Sequence, residues 1–341
     1  MRSIKFDLNL ESIPGHGRIR HPIIGEVIVW RQHEFHTWWN LFEPMIGHPL
    51  SRTFINAFVD SFEFNKMLPQ PTGMFRKKKF HAELERRTSN LGWGSVLLKE
   101  QKVVHSAHPL LSVALGQFAL ESFTEQRYKV RWIEPRPQVV QLETEVSTPL
   151  PSPQPPASLP WSVENRPSTF ESLSLEIESH ENHELRFEGE RILLIPMTSM
   201  ERFLTACMPY VPQDNEVWFI NESDALSTHQ DVLRIVIQST STMFLQSEQP
   251  VYIIDDSSWN AYVEHYLIER GWGSVHLNAY DSSTFDLEIE ISMSKQLPFT
   301  LGLICGMWER AHGRSYQITI RQEKDTFIAK IKSLLEYQNP S

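Results

Sequence analysis

The stretch Leu91-Gly92-Trp93-Gly94-Ser95-Val96 returns later in the chain as Arg270-Gly271-Trp272-Gly273-Ser274-Val275. Each copy follows a segment with helical spacing of apolar residues, 79–88 and 258–269, and leads into an alternating strand. Glycines flanking one tryptophan suit a turn in which the backbone takes a left-handed conformation or comes close to a neighbour, while the indole covers apolar surface. Gly92, Trp93, Gly94, Gly271 and Gly273 are therefore expected to serve the fold. Ser95 follows a glycine that leads into a strand, unlike the strand-to-helix elbow that exposes a nucleophile.

Working outward, the similarity extends in both directions, as expected of a duplicated fold. Upstream, IGEVIVW at 24–30 and the helical HEFHTWWNLFEPM parallel EGERILLI at 188–195 and TSMERFLTACMPYV. Before them, 6–12 and 173–179 both alternate as half-buried strands do. SRTFINAFVDSFEFNKM and DVLRIVIQSTSTMFLQ then occupy matching places as apolar helices. Downstream, 274–277 and 285–291 form an expected hairpin with Asp281-Ser282-Ser283 at its turn. A helix follows at 299–311, with Gly302 and Gly306 spaced to admit a close neighbour and Gly313 as its stop. Its first-half counterpart spans 110–125, with Ala114, Gly116 and Ala119 in comparable roles. Strand pairs 128–134 with 139–145, and 315–321 with 326–332, close each copy. The predicted class is α+β, two similar domains, each an antiparallel sheet packed with helices.

Between the copies, residues 148–168 contain seven prolines, which remove backbone donors and favour an extended spacer. This divides the chain into a first domain at 1–147, a linker at 148–168 and a second domain at 169–337. The charges divide too. Residues 1–146 hold 19 Lys and Arg against 15 Asp and Glu, a net of +4, and the remainder 13 against 27, a net of −14. The overall −10 argues against a dedicated nucleic-acid binder. The basic run Arg76-Lys77-Lys78-Lys79, followed by Arg86-Arg87, reads as a solvated helix face or as a docking point for an acidic partner or polyanion.

With 341 residues, 40% of them hydrophobic and 22% charged, the composition is that of a globular protein. The absence of an 18-residue apolar run excludes a helical membrane span, and the start lacks a secretory pattern, so a cytoplasmic location is expected. Two cysteines, Cys207 and Cys305, cannot build a disulfide framework or a four-thiolate metal site. His33-Glu34-Phe35-His36 falls one residue short of the zincin spacing and reads as an amphipathic helix with exposed polar residues. The pairs His105/His108 and His180/His183 lack further ligands. Asp255 is expected to cap the helix that follows it, and Gly15-His16-Gly17 to form a turn.

A helix ending in Gly-Trp-Gly, a hairpin, a helix with spaced glycines (LGLICGMWERAHGRSY) and a closing strand pair resemble the 4-vinyl reductase-type domain. That family shares its mixed fold with subunits of the vesicle-tethering transport-particle complex. The resemblance covers most of 170–335 and, more faintly, 1–146. It implies binding of small apolar molecules, or service as an assembly scaffold. Many such domains hold zinc on cysteines near the closing strands. Here 323–327 and 135–138 have none and Cys305 stands alone, so zinc is not expected.

No catalytic constellation stands out, and no cofactor is specified. The leading expectation is a non-enzymatic protein that binds an apolar small molecule or a protein partner. An enzyme or enzyme accessory acting on a tetrapyrrole-like or aromatic compound, and an oligomeric assembly scaffold, are the alternatives. Apolar clefts lie between packed layers and are lined by large rigid side chains. For a ligand, that places Phe299, Leu303, Cys305 and Trp308 of the last helix, with Trp272, at the site.

Overall fold

The structure, a computed structural model, describes residues 4–5, 8–70, 73–148, 151–162, 169–173, 175–179, 184–247 and 249–335. The first half runs β1 (Ile4–Lys5), β2 (Glu11–Ile13), β3 (Arg18–His21), β4 (Gly25–Arg31), α1 (Gln32–Ile46), α2 (Ser51–Phe64), α3 (Arg76–Thr88), β5 (Ser95–Leu97), β6 (Lys102–Val104), α4 (Pro109–Thr124), β7 (Tyr128–Arg136) and β8 (Val139–Val146). The second half repeats that order: β9 (Glu171–Ser172), β10 (Ile177–Ser179), β11 (Leu185–Phe187), β12 (Glu190–Pro196), α5 (Met197–Cys207), an additional β13 (Phe219–Asn221), α6 (Gln230–Gln246), α7 (Asp256–Tyr266), β14 (Val275–Tyr280), β15 (Leu287–Ser292), α8 (Leu297–His312), β16 (Tyr316–Glu323) and β17 (Thr326–Ser333). The chain is α+β.

What joins the halves is legible in two strands that do not alternate. Val27-Ile28-Val29-Trp30 in β4 and Ile192-Leu193-Leu194-Ile195 in β12 are buried throughout, as befits strands covered on both faces. They pair antiparallel, with Ile192 opposite Arg31 and Leu194 opposite Val29. The result is one eight-stranded sheet ordered β1-β10-β11-β12-β4-β3-β2-β9. The order is a palindrome about the β12–β4 seam, so the chain forms an internal pseudo-twofold. Its outer strands are exchanged: β1 borders the second half on β10, and β9 borders the first half on β2. The segments 6–12 and 173–179 are therefore not single strands. β2 begins only at Glu11 and β10 only at Ile177, because each short outer strand belongs to the other half's side of the sheet. Phe6, Asp7 and Ser174 lie outside the described residues.

The helices cross the seam as well. α1 packs on α6 and α2 on α5, while α4 and α8 lie against α2 and α6 of their own halves. One hydrophobic cluster runs through both halves. Trp30 is near its middle, with ring centroids 5.3 Å from Trp38 of its own half and 4.9 and 5.6 Å from Trp272 and Phe299 of the other.

Each half adds a sheet of its own, β5-β6-β8-β7 in the first and β13-β16-β17-β15-β14 in the second. The second is not wholly antiparallel, since β13 pairs parallel with β16. β13 belongs to the longer connection between α5 and α6, where the first half has only residues 47–50. The expected ends of the late elements agree closely: α8 stops at Gly313 with φ +62°, and Asp255 Oδ1 accepts from the Ser258 N–H at 2.9 Å. Within the proline-rich segment, Leu159 and Trp161 are buried, and Arg202 donates to the Gln154 carbonyl, so this stretch is docked on the second half. Residues 149–150 and 163–168 lie outside the described residues.

Candidate functional site

The Gly-Trp-Gly turns sit at the seam. A Cβ on Gly92, at φ +75°, would lie 2.5 Å from the carbonyl oxygen of Ile192, the third residue of β12. A Cβ on Gly271, at φ +76°, would lie 2.8 Å from that of Val27, the third residue of β4. Each glycine thus abuts the matching residue in the opposite half, and only a residue without a side chain permits that approach. Gly94 and Gly273 also have positive φ, at +122° and +103°. The hairpin turn at Gly15-His16-Gly17 docks there too, with Gly273 N donating to Gly17 O at 2.8 Å and Ser274 Oγ to Gly15 O at 3.0 Å.

The two turns differ in how they satisfy the sheet. Trp93 Nε1 donates to Leu194 O at 3.2 Å. The matching acceptor in the first half, Val29 O, receives instead from Arg270 Nε at 3.3 Å, and Trp272 Nε1 is left without a partner among the described residues. Arg270 also forms a buried ion pair with both carboxylate oxygens of Glu34. Glu34, expected on an exposed helix face, is only 6% exposed, because the second half covers the start of α1. The signal missed in the sequence was the contrast between Leu91 and Arg270 at matching positions, which calls for an acid on the facing helix.

The residues expected to line a ligand site, Phe299, Leu303, Cys305, Trp308 and Trp272, are all buried. The structure brings two of them together, Trp272 and Phe299, 6.1 Å apart by ring centroids and both facing Trp30, whereas Trp308 donates from Nε1 to Phe285 O at 2.7 Å and packs on His312. None of the five lines any of the described clefts. Burial pushes the Cys305 and Cys207 thiols up, which holds both neutral. His33 faces Glu190 at 3.7 Å, and His36 lies 3.0 Å from Asn40. Among the described residues no three His, Cys, Asp or Glu side chains gather as metal ligands. His180 and His183 lie outside those residues. No helix among the described residues is long and apolar enough to cross a membrane.

A cleft of about 860 Å³ opens where the Gly15–Gly17 turn, β10–β11 and the end of α7 meet. Its floor is apolar, with Ile13 and Phe187 buried and Leu173, Leu175 and Ile268 half-buried. Five carboxylates surround it: Glu176, Glu178, Glu188, Glu264 and Glu269. The cation of the lining, Arg18, is ion-paired with Glu26, which leaves the surroundings acidic. Glu188 reaches Arg31 at 2.9 Å and Glu269 reaches His265 at 3.2 Å. Both halves supply the walls, so the cleft exists only in the joined fold. Sequence reasoning did not find it, because its lining comes from four separate stretches, within 12–18, 173–178, 187–189 and 264–274.

Compared with known proteins, the chain matches no family model, no curated protein and no solved structure.

Proposed function

We propose that this chain is a binding protein and that the cleft beside the Gly15–Gly17 turn is its recognition site. The observation that carries this reading is the combination of an apolar floor and a carboxylate rim, assembled from both halves. Such a lining suits a partner carrying apolar groups beside positive charge, either a basic amphipathic peptide segment or an organic cation. The order of elements in each half supports kinship with the 4-vinyl reductase-type domain, which accords with a role in binding.

The test is a titration of the full chain with an amphipathic Leu/Lys peptide and with its Leu/Glu counterpart. The Leu/Lys peptide is expected to bind, to weaken as salt rises, and to lose roughly tenfold or more in affinity with Glu178→Lys and Glu264→Lys together. Equal affinity for the two peptides, or an unchanged affinity in the double variant, overturns the assignment. Native mass spectrometry of the purified chain checks independently for a small molecule retained in the fold.

A further inference from the structure

The turn before α3 is built against the usual rules of a surface. Residues 73–79, Gly-Met-Phe-Arg-Lys-Lys-Lys, are exposed without interruption, with Met74 at 93% and Phe75 at 65%. A Cβ on Gly73 would meet nothing within 4 Å, so the turn stands clear of the body. Four cations then occupy the first turn of α3, which contains no acid and has no side-chain cap. Positive charge at a helix N-terminus opposes the macrodipole, so the arrangement does not serve the helix. Arg76 reaches Glu125 at 3.3 Å, while no ion pair among the described residues holds Lys77, Lys78 or Lys79. The rest of α3 is anchored by Phe80, Leu84 and Thr88, one helical turn apart, which fixes the hook on a rigid support.

We propose that Met74–Lys79 is a docking hook for an anionic lipid bilayer, Met74 and Phe75 entering the acyl boundary while Lys77–Lys79 meet headgroup phosphates and carboxylates. Charge complementarity selects an anionic surface, because four exposed cations are concentrated in the first turn of α3 and only Arg76 among them is ion-paired among the described residues. The exposed Met–Phe pair selects a bilayer among anionic surfaces, because it needs an apolar phase beneath the charge layer. This inference is independent of the acidic cleft.

The experiment sediments the full chain with vesicles of phosphatidylcholine alone and of phosphatidylcholine mixed with phosphatidylserine. Binding is expected to the mixed vesicles only and to weaken with salt. Lys77→Glu, Lys78→Glu and Lys79→Glu together should lower it by roughly a hundredfold, from the contribution of each cation near a charged membrane. Met74→Ser with Phe75→Ser should lower binding to the same vesicles without altering its salt dependence. Cys207 and Cys305 are both buried, so a Met74→Cys variant takes an environment-sensitive dye at the hook alone. Its emission should shift to the blue with mixed vesicles. Equal binding to neutral vesicles, an unshifted dye, or capture by heparin with no vesicle binding each overturns the proposal, the last in favour of a soluble polyanion.

Discussion

At the scale of single residues, the seam depends on polar groups that the sequence placed in bland surroundings. The Arg270–Glu34 pair is buried on both sides, and removing one partner leaves an uncompensated charge inside the protein. Glu34→Ala is expected to cost about 3 to 5 kcal/mol, and Arg270→Leu with Glu34→Leu less than Glu34→Ala alone, read from denaturant midpoints. His21 carries a second prediction. Its Nδ1 accepts from the Ile23 N–H at 3.1 Å and faces the Ile24 N–H at 3.4 Å, and burial holds its pKa down at about 4. Above the unfolded value near 6.5 the ring is neutral in both states and contributes no pH dependence. As pH falls below that value the unfolded chain takes up the proton and the folded chain refuses it, so stability declines down to about pH 4. The share of His21 is up to about 3 kcal/mol, and His21→Phe should flatten the curve of stability against pH in that window. Neither partner of these groups was visible in the sequence, since Glu34 and Arg270 are held together by a fold-level pairing.

At the scale of elements, the sequence was most informative where periodicity and glycine placement act together. The spacing of Gly302 and Gly306 implied a close neighbour, and the structure supplies α6: added Cβ atoms would fall 2.5 Å from Thr240 Cβ and 2.9 Å from Phe244 Cβ. Gly302→Val and Gly306→Val should each force α6 and α8 apart and lower the midpoint of thermal unfolding, with losses of about 1 to 3 kcal/mol or more from overpacking. Gly313→Val serves as a reference, being strained by its φ of +62° but open to solvent, with nothing within 4 Å of an added Cβ. The comparison with the first half was less sound. A Cβ on Gly116 would meet Leu142 and Val103, so this glycine faces the sheet and does not relieve a helix crossing. Helical spacing tells which residues share a face, and not which neighbour that face meets. The exchanged outer strands were hidden for a related reason: two or three residues of strand carry too little alternation to reveal their partners.

At the scale of the whole molecule, duplication read from sequence says that two similar units exist, but not how they are combined. The clue was that IVW at 28–30 and ILLI at 192–195 do not alternate, as they would in strands with one solvent face, and each needs a partner to cover what alternation normally exposes. The chain supplies both partners itself. The surface that a single copy would use to pair with a second is consumed internally, and the full chain is accordingly expected to be a monomer by light scattering. The proline-rich segment tests how strongly the halves hold each other. Residues 151–158 are mostly exposed whereas Leu159 and Trp161 are buried, so a protease site inserted between Pro155 and Pro156 disturbs little of the core. After cleavage there, the two fragments should still elute together, because β4–β12, the exchanged outer strands and the α1–α6 and α2–α5 contacts remain. They should separate only in denaturant, with unfolding then dependent on protein concentration, as for an obligate heterodimer. Fragments that part in native buffer would mean that the seam is held by the linker, and the shared sheet would lose its place as the organising element.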